Sequence, residues 1–169
     1  MSDSMAETKY LIFALGNQHY GIRLDIIRGI EQSYTIVPIP SGANYIKGMI
    51  HLRESVIPIY DLKLRFSIFD EGDKPKQLLI TETHNMSLGI EVDDVVSIVS
   101  LPQEQIKKVP VVVRNDETLY MENIINVSNV KGGFGENEPE IMISVSIDNI
   151  MSEEEFADVA NALEEGTEE

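Results

Sequence analysis

Few residues in this chain carry side chains that could do chemistry. They are three histidines, a pair of adjacent aspartates and a glycine-rich loop. His19 and His84 stand beside segments that read as hairpin turns, so each is expected to be a surface or turn residue. His51 and Glu54 are three apart, a spacing that joins side chains on a helix, but their segment reads as strand and turn and makes no metal pair. Asp93 and Asp94 are neighbours in an extended segment, where successive side chains point to opposite faces. Asp93 is therefore read as structural, capping local backbone donors. Gly132-Gly133-x-Gly135 lacks the Lys-Ser/Thr and helix start that a phosphate loop needs, and reads as a hairpin loop within Lys131–Pro139. There is no cysteine, which excludes disulfides, thiolate metal sites and a cysteine nucleophile. The expectation is a protein that is not an enzyme, with no catalytic residue, metal or cofactor.

What remains are candidate contact residues, first an arginine at a loop tip. In Tyr45–Phe66, β-branched apolar runs flank the polar residues Arg53, Glu54 and Ser55, the pattern of two paired strands and a turn. Pro58 has no donor for a ladder bond, which predicts an edge strand or a bulge. Arg53 then stands at a turn between two anchored strands, where it is either ordinary turn chemistry or a contact point. Ile26, Ile27 and Ile30 are a second candidate, because they exceed what one face of a small barrel needs and Gly29 lets another backbone come close. Inter-module core is the competing explanation for them.

The 169 residues suit one domain or two intimate subdomains, long enough to bury roughly two thirds of the unfolded surface. A net charge of −16 argues against nucleic acid and anionic lipid, whose phosphates would be repelled. Half of that charge is local, since eight acids and no base follow Ser152. No apolar run approaches the roughly 20 residues needed to span a bilayer, and the first residues lack the pattern of a secretory signal, so a cytoplasmic location is expected.

Sliding the chain against itself by 68 residues aligns Tyr10-Leu11-Ile12 with Leu78-Leu79-Ile80 and Asn17 with Asn85. In the same register Gly21-Ile22-x-Leu24-Asp25 meets Gly89-Ile90-x-Val92-Asp93, and Ile27 and Ile30 fall on Val95 and Ile98. Val56–Leu62 matches Ile141–Ile147 more loosely, at another offset. Two related β-modules, intertwined within residues 9–151, are predicted, with residues 1–8 a disordered leader and Phe66–Gln77 a linker. Many short strands between turn signals imply two small barrels. After residue 151 the chain changes in kind. Ser152 and Glu155 form a capping box, and Phe156, Val159, Ala160 and Leu163 follow on one helical face, with Gly166 as the stop.

The run KG-x-I-x-LR-x-x-V-I-P-I-x-DL from Lys47 to Leu62 resembles the central signature of the CheW family, the chemotaxis coupling proteins. Lys47, Gly48, Leu52, Arg53, Pro58, Asp61 and Leu62 match, whereas His51 and Glu54 depart from the usual NLRG. The similarity extends upstream through YLIFALGNQHYGIRLDII and fades after about Pro110, covering roughly two thirds of the chain. It implies a mainly β fold in residues 9–151, two five-stranded β-barrels sharing a core, followed by the acidic helix and tail of residues 152–169. It also implies a non-enzymatic scaffold that bridges a CheA-type histidine kinase regulatory domain to methyl-accepting chemoreceptor tips, with the receptor in a groove between the barrels. The implied partner-binding residues are Arg53 first, then Ile27 and Ile30, with Gly48, Leu52 and Glu54 of the signature. Gly29, Glu54 and Ser146 stand where the family favours glutamate, glycine and aspartate. Those departures motivate an alternative, a diverged module that has lost one partner. A small-ligand-binding β-barrel is a third class, for which no convergent polar cluster is visible.

Overall fold

Alternating β-branched and aromatic residues favour extended backbone, and in a computed structural model the described residues form eleven strands. The structure describes residues 7–38, 45–69, 76–110, 118–127 and 141–167. The strands are β1 (Glu7–Leu15), β2 (Gln18–Arg23), β3 (Ile27–Glu31), β4 (Ile46–Leu52), β5 (Ser55–Tyr60), β6 (Gln77–Thr83), β7 (Met86–Val92), β8 (Asp94–Pro102), β9 (Ile106–Lys108), β10 (Met121–Asn126) and β11 (Ile141–Val145). Two helices, α1 (Leu62–Arg65) and α2 (Glu153–Thr167), complete the regular structure with short 3-10 turns. Residues 70–75 of the linker and the glycine-rich loop lie outside the described residues. Residues 1–6 do as well, while Glu7 and Thr8 belong to β1, opposite Pro102 and Leu101, rather than to a leader.

The chain forms two compact units, one of residues 1–25 and 94–150, the other of residues 26–93 and 151–169. The first holds a sheet in the order β8-β1-β2-β11-β10-β9, the second a sheet in the order β3-β6-β7-β5-β4. Each sheet therefore combines an early hairpin from one half of the chain with late strands from the other. The strand leaving Asp25 pairs with β6, and the strand leaving Asp93 pairs with β1.

The two sheets have the same register. Ile27, Gly29 and Ile30 lie opposite Thr81, Ile80 and Leu79, and Val95, Ser97 and Ile98 lie opposite Phe13, Ile12 and Leu11, 68 residues away throughout. The extra residue of the bulge is Arg28 in one strand and Val96 in the other. Farther along, Ile59 lies opposite Gly89 in a parallel pair, and Ser144 lies opposite Gly21. Both glycines are needed for that close approach. A Cβ at Gly89 would stand 2.6 Å from Ile59 Cδ1, and one at Gly21 would stand 2.8 Å from Met142 Cε.

The expected pair of closed five-stranded barrels is, among the described residues, two open sheets of six and five strands. Val37 shows why they differ. It makes one two-bond bridge to Met49, the place where Lys107 of β9 meets Ile124 in the other sheet. Pro38 follows with no N–H to extend the ladder, so among the described residues the pairing stops at one bridge. Pro58 also departs from expectation, because β5 is an interior strand between β4 and β7. Its missing donor falls just ahead of the two-residue parallel ladder at Ile59 and Tyr60.

The first unit packs Tyr10, Ile12, Val99, Leu101, Ile125, Val127 and Met142 into one cluster, and the second packs Ile50, Ile57, Ile59, Leu78 and Ile80. In α2 the predicted capping box forms in both directions, each hydrogen bond 3.1 Å long. Phe156 and Val159 are buried, and Ala160 and Leu163 half-buried. The helix runs through Gly166 to Thr167 rather than stopping at the glycine.

Candidate protein-docking site

The β4–β5 hairpin turns in two residues, with Leu52 opposite Ser55. Arg53 has φ 51° and Glu54 φ 77°. Positive φ at both central positions defines a type I′ turn, whose twist suits the flanking strands and which ordinarily takes Asn-Gly. Holding two long side chains there costs on the order of 1 kcal/mol per residue. Both residues are exposed. Among the described residues the Arg53 guanidinium makes no hydrogen bond or ion pair, with Glu54 or any other group.

The other signature residues turn inward. Gly48 is buried, and a Cβ there would collide with the Val37 carbonyl, so this glycine permits the Val37–Met49 bridge. Leu52 is half-buried against the Ile50–Ile80 cluster. The Asp61 side chain caps α1 by accepting from the Leu64 N–H at 3.1 Å. This short helix escaped the sequence reading, although Asp61 before Leu62-Lys63-Leu64 is an N-cap signal. At the matching position Ser146 precedes only a 3-10 turn and makes no side-chain cap.

Lys47, the remaining signature cation, reaches over β5 to Glu91 of β7 at 2.5 Å, and the Tyr34 hydroxyl donates to the same carboxylate at 2.5 Å. Burial pushes the Glu91 carboxyl up, but those two hydrogen bonds together with the charges of Lys47 and Lys76 outweigh it and hold the group below the usual carboxylate range. Beside it Lys63 of α1 pairs with Asp93 at 2.8 Å, both largely buried. Lys47, Asp61, Lys63, Lys76, Glu91 and Asp93 line one small polar pocket in the second unit. Asp93 is an ion-pair partner, as Asp25 is of Arg23 at 2.6 Å. Glu91 and Lys63 carried no sequence signal beyond a charge at an inward strand or helix position.

Ile27 and Ile30 lie on β3, at the other end of the strand order from the β4–β5 hairpin. Ile27 is half-buried and Ile30 is 41% exposed. The candidate residues therefore fall into two groups on the two outer strands of one sheet. A Cβ at Gly29 would find only Ile80 Cγ1, 4.0 Å away, so packing does not require a glycine there. The histidines do not converge. His84 sits in the β6–β7 turn and stacks on Phe156 at 3.9 Å, and the described residues hold no group of three or more potential metal ligands. No described helix is long and apolar enough to cross a membrane.

The family model for the CheW-like domain matches residues 9–155. Chemotaxis protein CheW of Klebsiella aerogenes is 33% identical over 159 residues, which is 90% of this chain and 87% of that protein. Chemotaxis protein CheW of Thermotoga maritima is 23% identical over 157 residues, 90% and 93% of the two chains. The crystal structure of the scaffolding protein CheW from Thermoanaerobacter tengcongensis shares the fold, with a TM-score of 0.71 and 24% identity over 86% of this chain and 92% of that one. The inward signature residues, the paired sheets and these matches lead to one conclusion: the chain belongs to the CheW-like domain family, whose members are adaptors rather than enzymes.

Proposed function

We propose that the protein is a cytoplasmic chemotaxis scaffold that couples chemoreceptor tips to the regulatory domain of a CheA-type histidine kinase. The observation that carries this reading is Arg53. It is an exposed guanidinium with no partner among the described residues, presented on a two-residue turn that holds it in left-handed backbone. A partner carboxylate would gain a charge-assisted, bidentate contact there without displacing an internal one. Ile27 and Ile30 supply apolar contact area on β3, and Leu52 and Gly48 support the hairpin from within. Coupling is then an equilibrium between sites rather than a reaction. A pull-down with an isolated kinase regulatory domain and a receptor cytoplasmic fragment tests it. Capture of both is the expected result, and capture of neither would overturn it.

One observation favours a second reading, a module that has lost one partner. Gly29 stands where the family favours glutamate, although a Cβ there would meet Ile80 Cγ1 only at ordinary contact distance, so packing does not require the glycine. Capture of only one of the two partners would select that reading.

A further inference from the structure

Lys47 and Glu122 occupy matching places, each the residue that bulges out near the start of its strand. Lys47 lies between the paired residues Ile46 and Gly48, and Glu122 between Met121 and Asn123. Glu91 and Arg23 also match, the first opposite Leu78 and the second opposite Tyr10. The Lys47–Glu91 pair at 2.5 Å and the Glu122–Arg23 pair at 4.0 Å are therefore one contact made twice, with its charges reversed.

The reversal matters because the chain has a second way to use the same registers. Strands β3, β4 and β5 could join their own hairpin β1–β2, and β8 to β11 could join β6–β7. Such self-contained halves would rely on contacts closer in sequence, which form faster. In that arrangement Lys47 would face Arg23 and Glu122 would face Glu91, two like-charge contacts in place of two ion pairs. Another pair points the same way. Arg28 bonds Glu82 at 2.6 Å, and the matching positions are Val96 and Ala14, so the self-contained form loses this bridge.

We propose that the reversed ion pairs Lys47–Glu91 and Glu122–Arg23 select the strand-exchanged topology by making the self-contained pairing repulsive. Specificity of this kind is a difference between two arrangements and is set by what the wrong one would bring together. The Glu122 side fits a residue kept for discrimination rather than strength. Burial, opposed by Arg23 and reinforced by Asp148 and Asp25, holds its carboxyl above the usual range.

The test uses the full chain, refolded from urea, with NMR contacts of Ile59 as the readout. Ile59 next to Gly89 reports the exchanged form, and Ile59 next to Gly21 the self-contained one. Lys47→Glu with Glu122→Lys makes the exchanged form like-charged and the other complementary. It is expected to lose Ile59–Gly89 contacts and gain Ile59–Gly21 contacts in a second set of resonances. Adding Glu91→Lys and Arg23→Glu should restore one species with wild-type contacts. If the two-site variant does not fold, Lys47→Met with Glu122→Gln removes the discrimination without repulsion, and a second species after rapid refolding is expected. Refolding of whichever variant reports to a single species with wild-type contacts would overturn the proposal. So would a four-site variant no better than the two-site one.

Discussion

The Lys47 ammonium crosses over β5 to donate to the Glu91 carboxylate, so the charged residue of the hairpin's first strand is anchored two strands away. Glu91 is held below the usual carboxylate range, so its stabilising effect is complete above the unfolded value of about 4.3 and is lost as pH falls through the lower folded value. Glu91→Gln should lower stability at pH 7 by about 1–2 kcal/mol and flatten the acid limb of a urea-midpoint profile. Glu122 has the opposite sign. Its folded value is raised, so its contribution is complete below the unfolded value and lost as pH rises through the folded one. Glu122→Gln should therefore be no less stable than the parent at pH 7, with any gain vanishing in acid. A parallel pH profile for both variants would contradict this assignment.

Gly48 and Gly21 make a matched test of close approach. An added methyl at Gly48 meets the Val37 carbonyl, which is backbone, whereas at Gly21 it meets the flexible end of Met142. Gly48→Ala should cost about 1–3 kcal/mol by forced displacement and remove the amide-exchange protection of Val37 and Met49. Gly21→Ala should cost less, because a methionine end can move aside. Equal losses of urea midpoint would show that the Val37 segment yields as easily as a side chain.

Glu54 holds φ 77° without being glycine or asparagine. Glu54→Gly should raise stability by about 0.5–1 kcal/mol, the strain removed less the added freedom of the unfolded chain. A lower melting temperature would mean that the Glu54 side chain makes a stabilising contact.

Helix α2 is short enough that it would be marginal alone, yet Phe156 is only 3% exposed and lies under the His84 ring. Phe156→Ala should cost about 3 kcal/mol, and ending the chain after Ser152 should lower the melting temperature by several degrees. Unchanged melting with fast amide exchange along α2 would show the helix to be a free appendage.

Much of this was legible in the residues. The capping box at Ser152 and Glu155, the apolar face of α2 and the turn at Arg53-Glu54 all follow from local chemistry, and local chemistry is what a single sequence displays. The 68-residue register was visible because paired strands repeat their glycines and aspartates. Intertwined modules were the expectation, but which strands join which hairpin was not legible, since equal registers fit both arrangements and side-chain charges such as those of Lys47, Glu91, Arg23 and Glu122 separate them. The open form of the two sheets among the described residues was hidden for a related reason. Whether Val37 extends into a strand depends on Pro38 and on the space left by Gly48, not on the alternation of the segment. The inward role of the signature residues was equally hidden, because Lys47 finds Glu91 only through the pairing of β5 with β7.

Arg53 is proposed here as a partner contact rather than a structural residue. Titration calorimetry of Arg53→Ala against the isolated kinase regulatory domain and the isolated receptor fragment tests it most directly. The melting temperature should stay within a degree or two, since exposed substitutions usually change stability by less than about 0.5 kcal/mol. Affinity for one partner should fall by on the order of tenfold, which corresponds to roughly 1.4 kcal/mol. Wild-type affinity for both partners, or an Arg53→Ala protein that unfolds, would contradict the account.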